Sequence, residues 1–275
     1  MKKSGIVFFI LLAFLISCKQ APEIQKEPWR DKPLQQWPDF ALTNAVHFEN
    51  KQYEDLANSF LINTGADTIA ASCKHLFMAF QKEPGLRSID LGDAFKSWKA
   101  YPKNKPGQSV QLKRLINQDK KEPIGQYNTL KNRDWIIFEV EGDTKDLYPL
   151  KIRFSPIEKG ELVYAIGWGS LQEDISYPVK VSFRCYQHRG NYYYAKTLTQ
   201  HVKPGGTSGS PVIDRNGYLV GITSGAEGKL AVIGSIEYLV QLFDRYGVDY
   251  RLSIGQPFFI HNGLKFSVKY KKSLS

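Results

Sequence analysis

The stretch KPGGTSGSPVIDRNGYLVGITSG, residues 203–225, decides how this chain is read. Gly205, Gly206 and Gly209 surround one small hydroxyl residue, Ser208. Glycine packs poorly and costs backbone entropy, so a loop this rich in it needs a reason. A flexible linker would not run straight into the apolar, β-prone runs PVID and YLVGIT, joined by the turn signal Asn216-Gly217. The glycines therefore belong to a shaped loop that feeds a hairpin. A serine hydroxyl is a weak nucleophile and needs a base, a group that orients the base, and donors for an oxyanion. Glycines let backbone N–H groups turn toward one point, and the N–H groups of Gly206 and Ser208 are placed to form such a pair.

The base is sought among His47, His75, His188, His201 and His261. His75 sits in the run TIAASCKHLF, where a strand finishes in small residues and a short helix begins. Of the aspartates between His75 and Ser208, only Asp134 stands directly before a continuous apolar strand, DWIIFEV. The residues after it would bury the carboxylate, and a buried carboxylate can hold an imidazole in one tautomer. Asp143 and Asp146 sit in a polar turn and read as solvated. Burial would lower the pKa of His75 and a neighbouring Asp134 would raise it; the sequence leaves the balance open.

In this order the elements resemble those of bacterial trypsin-like serine peptidases. GTSGSPV is similar to that family's G-x-S-G-[GS]-P, TIAASCKH to its T-A-x-H corner, and DWIIF to its D-[LIVW]-A-x-[LIV] element. EKGELVYAIGWG resembles the strand that the family carries between the Asp and Ser elements. The three positions are separated by 59 (134 − 75) and 74 (208 − 134) residues and follow the chymotrypsin order His, Asp, Ser. The resemblance covers roughly residues 41–247 and implies an all-β fold of two six-stranded antiparallel barrels with a C-terminal helix. It implies a serine endopeptidase in which Ser208 attacks, His75 is the base and Asp134 orients it. Gly206 and Ser208 would supply oxyanion donors, and no cofactor or metal is called for. It places pocket walls near residues 197–203 and 223–225, so His201, Thr223, Ser224 and Gly225 are expected to meet a protein or peptide substrate. The last three would pair with it as an added strand. Thr207 stands where chymotrypsin has an aspartate that pairs with a newly cut N-terminus, so no such activation is expected.

Periodicity agrees with the all-β reading. SFLINTGADTIAAS is two β-prone runs around a turn, and SVQLKRLINQD, DWIIFEVEG, YPLKIRF, ELVYAIGWG, YPVKVSFRCYQHR and NYYYAKTLTQ follow as short strands. CKHLFMAF suits one or two helical turns. In GSIEYLVQLFDRYG, Ser235 is an N-cap, Ile236, Leu239, Val240 and Phe243 share a face, and Gly247 is a stop. Residues 253–275 read as an added C-terminal hairpin around Asn262-Gly263.

The N-terminus reads as an export signal. Two lysines precede an apolar run from Ile6 to Ile16, too short for a comfortable membrane span. Leu15-Ile16-Ser17-Cys18 resembles the bacterial lipobox, which implies removal of residues 1–17 and lipidation of Cys18. Residues 18–40, polar and rich in proline, read as a tether to a peptidase domain at 41–252, which would sit in the bacterial cell envelope. Cys73 and Cys185 are compatible with a disulfide or with buried thiols. The net charge of +10 is spread out and densest in the tail KFSVKYKKSLS, and no nucleic-acid motif is present. Two other classes compete. A peptide-binding lipoprotein on the same fold, without catalysis, would keep the architecture. An α/β-hydrolase is disfavoured because Ser210 stands where its G-x-S-x-G elbow needs the last glycine, and because alternating helices are missing.

Overall fold

A computed structural model describes residues 25–169, 172, 174–199 and 206–251. Twelve strands build two barrels. The first uses β1 (Leu42–Phe48), β2 (Asn58–Asn63), β3 (Thr68–Ser72), β4 (Phe95–Tyr101), β5 (Val110–Leu115) and β6 (Ile136–Glu141). The second uses β7 (Leu162–Gly167), β8 (Val179–Arg189), β9 (Tyr192–Thr197), β10 (Pro211–Ile213), β11 (Leu219–Glu227) and β12 (Leu230–Ser235). Both run in the same order: β1-β2-β3-β6-β5-β4 closes through β1–β4 pairing, and β7-β8-β9-β12-β11-β10 closes through β7–β10 pairing. Neighbouring barrel strands are antiparallel throughout. Closure removes sheet edges, and each barrel fills its interior with the inward side chains of alternating strands. Leu61, Ala70, Trp98, Leu112 and Phe138 fill the first, and Val163, Ala165, Val181, Val212 and Ile233 the second.

Two helices accompany the barrels. The short α1 (Tyr127–Leu130) precedes β6, and α2 (Ile236–Tyr246) closes the described chain. Ser235 Oγ accepts from the Tyr238 N–H, and Gly247 takes the left-handed C-cap at φ 69°, as the sequence predicts. CKHLFMAF forms a 3-10 helix, Lys74–Phe80. The run FKSWKAY, not among the expected strands, is β4: Lys96 and Lys99 point outward while Trp98 and Ala100 are buried. The run YPLKIRF is not a barrel strand. Leu150–Lys151 pairs in parallel with the end of β2 and Ile152 bridges to Leu219, so this run links one barrel to the other.

Residues 25–40, part of the expected tether, pack on the body. Trp29 is 6% exposed and contacts Trp37, Phe40 and Tyr148. The Glu27 N–H donates to Asn216 O at 2.9 Å, and the Glu27 carboxylate holds Lys151 and the Tyr148 hydroxyl. The physical reason is aromatic content: a segment with Trp29, Trp37 and Phe40 gains more by burial than a polar linker does. Cys73 and Cys185 are both buried and free, so the disulfide alternative is not taken. Residues 1–24 and 252–275, which include the signal segment, Cys18 and the C-terminal hairpin, lie outside the described residues. Among the described residues, no helix is long and apolar enough to cross a membrane.

Candidate active site

Register brings the first two expected residues together. β3 and β6 are antiparallel neighbours, and Ser72 pairs with Ile136. The chain therefore leaves β3 and enters β6 at the same end of the barrel, so His75, three residues past Ser72, meets Asp134, two before Ile136. The Asp134 carboxylate is completely buried and accepts twice from His75: N–H to Oδ1 at 2.7 Å and Nδ1–H to Oδ2 at 2.7 Å. An ionised carboxylate only accepts, so Nδ1 carries the hydrogen and Nε2 is the nitrogen open to exchange in a neutral ring. Ser224 Oγ donates to the same Oδ2. Asp143 lies on the surface, 2.9 Å from Lys145.

The nucleophile loop is held from the other side of the interface. β2 begins at Asn58, whose N–H donates to Ser208 O at 2.7 Å. Its side-chain Nδ2 donates to Gly206 O at 2.8 Å and Trp168 O at 3.1 Å, while Oδ1 accepts from Trp168 N–H at 2.6 Å. Ser72 Oγ donates to Asn58 O at 2.7 Å. Gly206 and Gly209 have φ of 88° and 80°, and a Cβ on Gly209 would stand 2.1 Å from Asn58 O. The loop carbonyls thus point back into the protein. Among the described residues, the N–H groups of Gly206 and Ser208 donate to no acceptor.

Ser208 and His75 line one cavity of 310 Å³, together with Leu56, Ala57, Leu76, Trp168 and Gly206. No hydrogen bond joins Ser208 Oγ to the imidazole. His75 Nε2 instead has Cys73 Sγ at 3.7 Å, and Tyr127 of α1 meets the ring edge-on at 5.6 Å. Burial disfavours the imidazolium, but the Cys73 sulfur and the Asp134 carboxylate outweigh it and raise the His75 pKa above its ordinary 6.5.

The Thr223 N–H donates to Ser210 O at 2.9 Å and its carbonyl accepts from Gly209 N–H at 2.8 Å, so its backbone braces the nucleophile loop. Thr223 pairs with Ile233 and Gly225 with Val232, which leaves Ser224 as a bulge between them. Gly225 is half-buried, with Tyr127 Oη 2.7 Å from where a Cβ would stand. His201 lies outside the described residues. His47 pairs with Glu54 at 2.9 Å, and His188 stacks on Tyr193, both away from the cavity. Sequence reasoning missed Asn58, Tyr127 and Cys73 in this site. Asn58 and Tyr127 carry no local signal; Cys73, two residues from His75, was visible. No group of three or more potential metal ligands occurs among the described residues.

Paired barrels with a buried Asp–His couple at their junction, facing a serine on a glycine-shaped loop, define a two-barrel hydrolase of the trypsin type. The chain belongs to the trypsin-like peptidase family: the sequence profile of the trypsin-like peptidase domain matches residues 58–222. No curated protein sequence matches it. Among solved structures it is similar to the active form of the Rv3671c protease from M. tuberculosis, with 13% identity and a TM-score of 0.51, covering 84% of this chain and 91% of that one. The inactive form of the Rv3671c protease matches with 13% identity, a TM-score of 0.50 and coverage of 82% and 98%. At this identity the likeness shows the fold. The family supports a hydrolase that acts on proteins or peptides.

Proposed function

We propose that this chain is a serine endopeptidase that works through an acyl-enzyme, with Ser208 as nucleophile, His75 as base and then acid, and Asp134 as the group that orients it. The observation that carries this reading is the pair of 2.7 Å bonds from His75 to the buried Asp134, with Ser208 on the wall of the same cavity. His75 Nε2 takes the Ser208 proton as Oγ attacks the substrate carbonyl, and later returns it to the leaving amine. The N–H groups of Gly206 and Ser208 receive the developing oxyanion. Labelling of Ser208 by a fluorophosphonate, lost in Ser208→Ala, tests the assignment; an unlabelled wild-type protein overturns it.

A second reading, peptide binding without hydrolysis, is favoured by one observation: Nε2 is beside Cys73 Sγ rather than hydrogen-bonded to Ser208. The same probe separates the two. We further propose that Cys18 is the lipidated N-terminus that holds the protein to a bacterial envelope membrane. The support is the lipobox resemblance after a short apolar run. Two or more acyl chains anchor firmly where one does not, so mass spectrometry of the mature N-terminus and membrane fractionation test this together.

A further inference from the structure

Behind the Asp–His couple lies a second charged group that the proposed reaction does not use. Lys74 and Arg133 immediately precede His75 and Asp134 in the chain, and one carboxylate holds both. Lys74 Nζ lies 3.0 Å from each oxygen of Glu122, and Arg133 Nε lies 2.9 Å from Oε1. Glu122 comes from the separate strand Asp119–Pro123, paired with Ser88–Ile89, which belongs to neither barrel.

Lys74 is 2% exposed, an extreme setting for an ammonium group. Burial lowers its pKa, and Glu122 opposes that shift. Removing one partner of such a pair leaves the other charge buried and uncompensated. That charge would stand one residue from the imidazole.

We infer that Glu122 is a positioning residue for the triad: it ties the residue before the base to the residue before the orienting acid, and it neutralises the buried Lys74 beside His75. The inference rests on the triad reading above. The groups against His75 are Cys73 on its own segment, Asp134 and Tyr127 of α1, with the Asp55–Lys103 pair on the cavity wall; Lys74, its neighbour in the chain, turns its ammonium to Glu122 beside Arg133. Of these, only Lys74 depends on Glu122 for its counter-charge.

The test is signed. Glu122→Gln keeps the shape and leaves net positive charge near the ring, so imidazolium is disfavoured and the His75 titration midpoint falls by about 0.5–1 pH unit. Lys74→Met removes one positive charge and leaves Glu122 paired with Arg133 alone, so the midpoint rises by about as much. The double change Lys74→Met/Glu122→Leu returns it toward the wild-type value. NMR of the histidine ring in the full chain, with His75 assigned by its own substitution, reads all three. In parallel, Glu122→Gln should slow fluorophosphonate acylation of Ser208 even where His75 is neutral, because the two triad loops lose their tie. A His75 midpoint that stays fixed in both single variants overturns the inference, and if Glu122→Gln does not fold, Lys74→Met decides it. Wild-type protein inert to the probe would overturn the peptidase reading instead, and the midpoints would still be measurable.

Discussion

The Asn58 N–H reaches Ser208 O at 2.7 Å, so the first strand pair of one barrel holds the nucleophile loop of the other. Asn58 is fully buried and adds four side-chain bonds across the same interface, to Gly206 O, Ser208 O, Trp168 O and the Trp168 N–H. Asn58→Ala should therefore lower the unfolding free energy by roughly 2–4 kcal/mol through unpaired buried groups. It should also reduce turnover without touching the substrate. Denaturant unfolding beside kcat on a peptide substrate checks both. Wild-type stability in the variant would contradict the bridging role.

Ser208→Ala should abolish hydrolysis and probe labelling with Tm unchanged. The loop path is set by Gly206, Gly209 and the Asn58 bonds rather than by the hydroxyl. In subtilisin, a worked example of this chemistry, losing the serine costs about a million-fold in turnover. Full activity in Ser208→Ala would remove the nucleophile assignment.

Asp134→Asn should keep the fold but lose most turnover near neutral pH. An amide in place of the carboxylate can stabilise the wrong imidazole tautomer, and the corresponding change in the serine-protease template cost about ten-thousand-fold. Asp143→Asn is the control: its carboxylate is on the surface beside Lys145, and activity should be unchanged. The reverse pattern would mean that the wrong acid has been chosen.

The pH dependence follows from the raised pKa of His75. Only neutral imidazole accepts the serine proton, so the acid limb of kcat/KM should lie above pH 6.5. The same shift stabilises the fold while His75 is protonated below that pH, and this contribution is lost as pH rises through the folded pKa. Burial works against the charged ring, and the Cys73 sulfur and Asp134 raise it. Cys73→Ala removes the sulfur, so its acid limb should move to lower pH. A limb that stays in place would show that the thiol has no influence on the base.

Trp29→Ala tests the docked N-terminal segment. A Trp ring 6% exposed and packed on Trp37, Phe40 and Tyr148 should cost roughly 3–5 kcal/mol when removed. A free tether would show no change in Tm.

Local patterns carried much of this protein. The all-β class, the hairpin at 58–72, the caps of α2 and the candidate positions His75, Asp134 and Ser208 were legible because alternation, turn glycines and short motifs each depend on a few adjacent residues. Bonds between distant residues left no such trace. Nothing near Asn58 in sequence indicates Ser208, 150 residues on, and Glu122 reads as one acid in a run of lysines until register sets it between Lys74 and Arg133. The same holds for Thr223, whose backbone is bonded to Gly209 and Ser210. Residues 25–40 looked like a linker because their prolines and charges dominate composition; burial of Trp29 depends on a surface assembled from Phe40, Tyr148 and the 214–218 turn. Spacing along a chain determines which elements form. Which distant groups share a proton, a charge or a buried face is decided only when barrel closure brings strand ends together.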